Sequence, residues 1–228
     1  MIFDPLYIIL SLPALFLTLG ASLLLNYWYG KYSSVESSKG ITGLQAASTI
    51  ANQRDLNITL NTTGGKLTDN FNPRDNSVNL SQRVANEPSI ASVAIAAHEL
   101  GHVMQYQGAW SPVMAFRSFL VPAVNIGTNL GYFVIILGFI INAVGAVWIG
   151  IALFSLSTFF TLFTLPIEFD ASRRALAVIK SSGLLGANEM GGARKVLIAA
   201  ALTYVAAAAG SIMNLLYFVL QARGMSRE

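Results

Sequence analysis

With 228 residues, 54% of them hydrophobic and only 11% charged, and a mean hydropathy of +0.58, the chain is far more apolar than a soluble domain, in which about a quarter of residues are charged. That balance describes an integral membrane protein with a modest water-exposed part. The net charge of +3 is spread among carboxylates and offers no basic patch for nucleic acid, and the absence of cysteine excludes disulfide staples and thiolate zinc sites.

In chain order, residues 5–30 carry no charge and are long enough to cross a hydrocarbon core of roughly 30 Å as a first transmembrane helix, ending in the interfacial aromatics Tyr27, Trp28 and Tyr29. A cleaved signal peptide would need a basic start. Only Asp4 stands there, so a retained anchor is expected. Residues 31–112 form the polar region. Within it, Thr42 to Arg54, with Leu44, Ala47 and Ala51, reads as an amphipathic helix capped by Thr42. Asn57 to Leu60 is β-prone, Gly64 and Gly65 mark a turn, and Lys66–Phe71 and Ser77–Leu80 alternate across the turn-rich stretch Asn72 to Asn76. A small sheet or hairpin is expected there. A helix over about 88–107 follows, with Pro88 in its first turn, Asn86 or Glu87 near its cap and Gly108 at its stop. Asn57, Asn61 and Asn79 each begin an Asn-x-Ser/Thr triplet, which chance supplies in a loop this rich in Asn and Thr.

Residues 118–167 are uncharged, too long for one span and right for two, placed at 121–142 and 145–165 with a tight turn between them. Residues 166–195 are expected to form a separate helix bearing the third ligand and a polar connection, and 196–222 a fourth span whose small residues, Ala206 to Gly210, allow close helix packing and are compatible with a homo-oligomer. Four spans put 29–112 and 168–195 on one side, with Lys31, Lys39, Arg117, Arg173, Arg174, Lys180, Arg194 and Lys195. The other side has only Arg223 and Arg227, so the polar side is expected in the cytosol of a bacterial-type plasma membrane, with both termini outside.

The chain has two histidines, and both fall in one string, His98-Glu99-Leu100-Gly101-His102. On a helix, positions i and i+4 share a face, so two imidazoles can aim at one point and hold Zn²⁺. Glu99, beside the first of them, can take the proton of a metal-activated water. The competing reading is a pair of hydrogen-bonded core histidines, in which Glu99 has no packing role. A catalytic zinc takes three protein ligands and keeps one open position. With no histidine or cysteine left, the third ligand must be a carboxylate, and Glu168 is chosen because it emerges where the third span leaves the bilayer, where a carboxylate is costly unless paired or metal-bound. Asp170 points about 200° away on a helix and is the alternative, or a partner that orients a histidine N–H. Both acids can instead pair with Arg173 or Arg174 at i+3 and i+4 spacing. Arg173, Arg174 and Tyr106 are candidates for steadying an oxyanion.

At this point the chain resembles the YugP-like membrane zinc metallopeptidases. The likeness is carried by Gly65-Lys66-Leu67-Thr68-Asp69, Val78-Asn79-Leu80-Ser81, Ala97 to His102, and Pro166-Ile167-Glu168-Phe169-Asp170-Ala171-Ser172-Arg173-Arg174-Ala175. More distantly the arrangement is similar to HtpX and CAAX-type membrane peptidases. The resemblance implies one zinc per chain, peptide-bond hydrolysis of a polypeptide substrate, and presentation of that substrate as an added strand beside Leu67 to Phe71. Family members carry Asp-His-Tyr-Asp-Pro where this chain has Asp69-Asn70-Phe71-Asn72-Pro73, so Asp69 and Asn70 are candidate substrate contacts and the departure bears on rate or specificity. The fold expected is a mainly α membrane protein of about four transmembrane helices plus a zincin-like α+β polar region carrying the metal helix. The function expected is that of a gluzincin-like zinc endopeptidase with Glu99 as general base. The alternatives are a non-catalytic zinc-binding membrane scaffold, favoured by Asn70 and Asn72, and a zinc hydrolase of another amide or ester.

Overall fold

The computed structural model describes residues 4–226; Arg227, counted above beside the last span, lies outside them. The described chain runs α1 (Pro5–Ser33), α2 (Gly43–Gln53), β1 (Thr59–Thr63), β2 (Asn70–Asn72), β3 (Ser77–Ser81), α3 (Gln82–Asn86), α4 (Ile90–Tyr106), α5 (Ser111–Ile140), α6 (Val144–Ser181) and α7 (Met190–Met225). It is a mainly helical membrane protein with a small mixed sheet: α1, α5, α6 and α7 are long and apolar enough to cross a bilayer.

Two compact units can be told apart. One gathers the chain up to Ala21, Phe116–Pro166 and the stretch from Thr203 onward. Its core is Ile135, Val147, Ile151, Phe154, Tyr217, Phe218 and Ala222. Here α5 and α6 approach backbone to backbone, because a Cβ on Gly131 would stand 2.7 Å from the Phe154 nitrogen and one on Gly150 would stand 2.7 Å from the Ile135 nitrogen. The reversal between these two helices is made by Asn142 at φ 57°, a conformation Asn tolerates better than most residues, with the Ala143 N–H closing on the Gly138 carbonyl at 2.8 Å.

The other unit comprises Ser22–Ala115 and Ile167–Leu202. Its centre is α4, which is apolar almost all round and therefore buried all round. Ala46, Ala47 and Ile50 of α2, Val78 and Leu80 of β3, Ala175, Val178 and Ile179 of α6, and Ala193 and Val196 of α7 share its core. Thr42 caps α2 through a capping box with Gln45, as its sequence predicts. The sheet has the order β1-β3-β2, with β1 parallel and β2 antiparallel to β3.

Three local expectations change. The strand expected over Lys66–Phe71 shrinks to Asn70–Asn72, because Leu67 takes a left-handed φ of 56° and the Thr68 hydroxyl folds back onto the Gly64 carbonyl at 2.9 Å. The cap of α4 is Ser89, whose Oγ accepts the Ser92 N–H at 3.1 Å, rather than Asn86 or Glu87, which belong to the short α3 and its end. The segment around Glu168 is no separate helix: α6 continues through Pro166 to Ser181.

Candidate metal centre

The C-terminal half of α4 carries His98, Glu99 and His102, and α6 brings Glu168 to the same point. Close approach of the two helices depends on Gly101, since a Cβ there would lie 2.5 Å from the Ala171 carbonyl oxygen. His98 Nε2 and His102 Nε2 each stand 3.4 Å from Glu168 Oε2, and Glu168 is 1% exposed. The candidate ligand atoms of the three residues all lie within 4.8 Å of one another. Tetrahedral zinc with ligand bonds of about 2.0–2.1 Å sets its donors about 3.3–3.4 Å apart, so the spacing suits the ion. The donor types suit it as well. Two imidazoles and a carboxylate make up a catalytic set with one position left for substrate or water.

A hydrogen bond behind one of these candidate ligands sets its ring state. The Gln105 amide is fully buried and donates both N–H groups, to the Ile167 carbonyl at 2.8 Å and to Asp170 Oδ2 at 3.0 Å. Its oxygen therefore faces His102 Nδ1, 3.0 Å away, and accepts a hydrogen bond from the Nδ1–H. That leaves the Nε2 lone pair for a metal. Ser172 Oγ lies 3.2 Å from His98 Nδ1 and can hold that ring in the same state. Asp170 is not gathered with the metal-binding group. It pairs with Arg173 and, at 2.5 Å, with Arg174, and it reaches His102 only through Gln105.

Glu99 is 7% exposed. Burial pushes its carboxyl up to about 7, helped by the nearby Glu168 and Asp69 and opposed by His98 and by a hydrogen bond from the Phe71 backbone N–H. A cation at the neighbouring site would favour its ionised form. The Phe71 contact ties the edge strand β2 to this carboxylate.

The remaining candidates have structural attachments. Asp69 clips the end of β3, accepting from the Ser81 N–H at 2.7 Å and the Ser81 hydroxyl at 3.1 Å, and burial raises its pKa. Asn70 bridges the Thr68 carbonyl and Asn79. Tyr106 packs edge-on against Phe71, with ring centroids 5.6 Å apart. Arg173 and Arg174 are held by Asp170. Sequence reasoning assigned no site role to Gln105 or Ser172. The signal for Gln105 was its place three residues after His102 on a helix that is otherwise apolar, and for Ser172 its place four residues after Glu168.

Comparison with known proteins agrees with this geometry. A family model described as "Putative neutral zinc metallopeptidase" matches residues 7–223. The chain is 38% identical over 216 residues, 94% of its length and 96% of the relative's, to "Putative membrane protease YugP" of Bacillus subtilis (strain 168). No solved structure matches. A family match that runs almost from end to end, over a chain whose two histidines and Glu168 converge on one buried point, places this protein in the neutral zinc metallopeptidase family.

Proposed function

We propose that the protein is a membrane-embedded zinc endopeptidase, with His98, His102 and Glu168 as the ligands and Glu99 as the general base. The observation that carries this reading is the convergence of those three ligand groups beside a buried glutamate. Bound zinc supplies a Lewis acid that polarises the scissile carbonyl and lowers the pKa of water. Glu99 accepts the proton of the attacking water and returns it to the departing amine nitrogen, so the peptide C–N bond breaks as a carboxyl group forms. Gln105, backed by Asp170, holds the His102 ring in the Nδ1–H state, and Ser172 does the same for His98.

β2 is an edge strand tied to Glu99 through Phe71, which supports binding of an extended substrate along its open edge. The basic residues flanking the spans favour a cytoplasmic catalytic face.

The test is Glu99→Gln in purified protein. Zinc content and thermal unfolding should match wild type, while cleavage of an unfolded protein such as casein should fall by about 10²–10⁴-fold. Turnover near wild type would remove Glu99 as the base. Stoichiometric zinc with chelator-insensitive or absent cleavage in the wild type would favour the scaffold reading.

A further inference from the structure

A groove of about 650 Å³ opens between the C-terminal half of α6 and the N-terminal half of α7, entirely within the unit that carries the metal centre. Its size is that of a small-molecule site. On α6 it is lined by Phe169, Arg173, Leu176 and Lys180 among others, a face about 100° round the helix from Glu168. On α7 the lining includes Arg194, Ile198 and Leu202. Of its lining, Ser172 alone has a part in the proposed peptidase reaction, through His98.

The lining is graded from one end to the other. The uncharged run of α6 ends at Ile167 and that of α7 begins at Val196, so the groove straddles the level where the apolar spans give way to charge. The two helices are joined by the connection Ser182–Glu189 and run antiparallel. Phe169 on α6 therefore shares the apolar end with Leu202 on α7, while Lys180 shares the polar end with Arg194. Apolar lining at this level is exposed: Phe169 by 49%, Ile198 by 47% and Leu202 by 37%. The three cations are exposed as well. Arg173 is committed on one side to Asp170, but its side chain remains 75% accessible. Among the described residues neither Lys180 nor Arg194 forms an ion pair.

An occupant must match this order: an apolar chain toward the spans and a negative group between three cations at the boundary. We propose that the groove binds an anionic phospholipid, with an acyl chain along Phe169, Ile198 and Leu202 and the headgroup phosphate held by Lys180, Arg194 and the free face of Arg173. Arginine and lysine in pockets between spanning helices attract anionic headgroups, and the arginines add directed hydrogen bonds to phosphate oxygens. A zwitterionic lipid meets the same apolar wall without the net charge match.

Native mass spectrometry of the purified protein, titrated with dioleoylphosphatidylglycerol or dioleoylphosphatidylcholine, tests this. One phosphatidylglycerol should be retained at concentrations where phosphatidylcholine is not. The double variant Lys180→Gln/Arg194→Gln should weaken that retention by roughly 25-fold, a factor of about five for each cation. Arg173 is left in place because it supports Asp170. Ala201→Phe, which fills the apolar end with the cations intact, should also reduce retention. Zinc content in both variants reports that the unit still folds, and lysine and arginine variants elsewhere, Lys31→Gln/Arg223→Gln, should retain the lipid. Equal retention of the two lipids overturns the proposal. So does retention that survives both groove variants, or displacement of the lipid by millimolar inorganic phosphate with no effect of Ala201→Phe, which would mark a free-anion site.

Discussion

Gln105 shows how much of the proposed metal centre is decided one residue behind its candidate ligands. Its two donors are taken by Ile167 and Asp170, so its oxygen has one orientation and His102 one tautomer. Gln105→Met keeps much of the volume and removes that constraint. Zinc affinity measured by competition with a chromophoric chelator should fall by about 10–100-fold, the usual cost of losing such a partner, with the fold retained. An unchanged affinity would show that the ring is held by packing alone. The two histidines and Glu99 were legible in the sequence because their spacing is local and the chain has no other histidine. The part played by Gln105 was not, because a glutamine carries no chemical signature until its three hydrogen bonds are seen. Asp170 was legible as a choice between ligand and ion pair. On α6 it meets Arg173 and Arg174 at i+3 and i+4, and its link to His102 runs through Gln105.

At the level of elements, the centre is a crossing of α4 and α6, and its dimensions are those of the contact between them. Gly101 lets the two backbones meet at Ala171. A methyl group at 2.5 Å from that carbonyl must move out to about 3.4 Å, so Gly101→Ala should part the helices by roughly an ångström and spread Glu168 from the histidines. Zinc, which binds at about 2.0–2.1 Å, should lose affinity by at least tenfold, while the larger cadmium ion should lose less; competitive metal titration reads the ratio. An unaltered preference would mean that side-chain rotation absorbs the added methyl. The four apolar helices were readable from composition because a bilayer demands length and lack of charge, both local properties. The capped α2 was readable for the same reason. The length of β2 was not, since Leu67 adopts a conformation its side chain disfavours, and only the surrounding turn makes it do so. Continuity of α6 through Pro166 was equally hidden: a proline suggests an end, but long apolar helices accommodate it.

For the whole molecule, the proposed ligands come from α4 and α6, far apart in the chain but within one unit, so a bound ion would act as a clamp between separate stretches of chain. Chelation should therefore lower the unfolding temperature of the purified protein in detergent, and added zinc should restore it in a concentration-dependent way. Glu168→Ala should abolish both responses; a variant that still shifts with zinc would place the third ligand elsewhere. The order of these stretches along the chain has a further consequence. The histidines on α4 are synthesised before α5 and α6, and Glu168 lies about two-thirds of the way along α6, the third apolar helix. While the ribosome is at work, the emerging chain holds only two of its three proposed ligands, and a pair of imidazoles grips zinc weakly. The proposed centre would thus be completed only when that third helix has been made. On that reading a half-made chain lacks the third ligand and with it the hydrolytic centre.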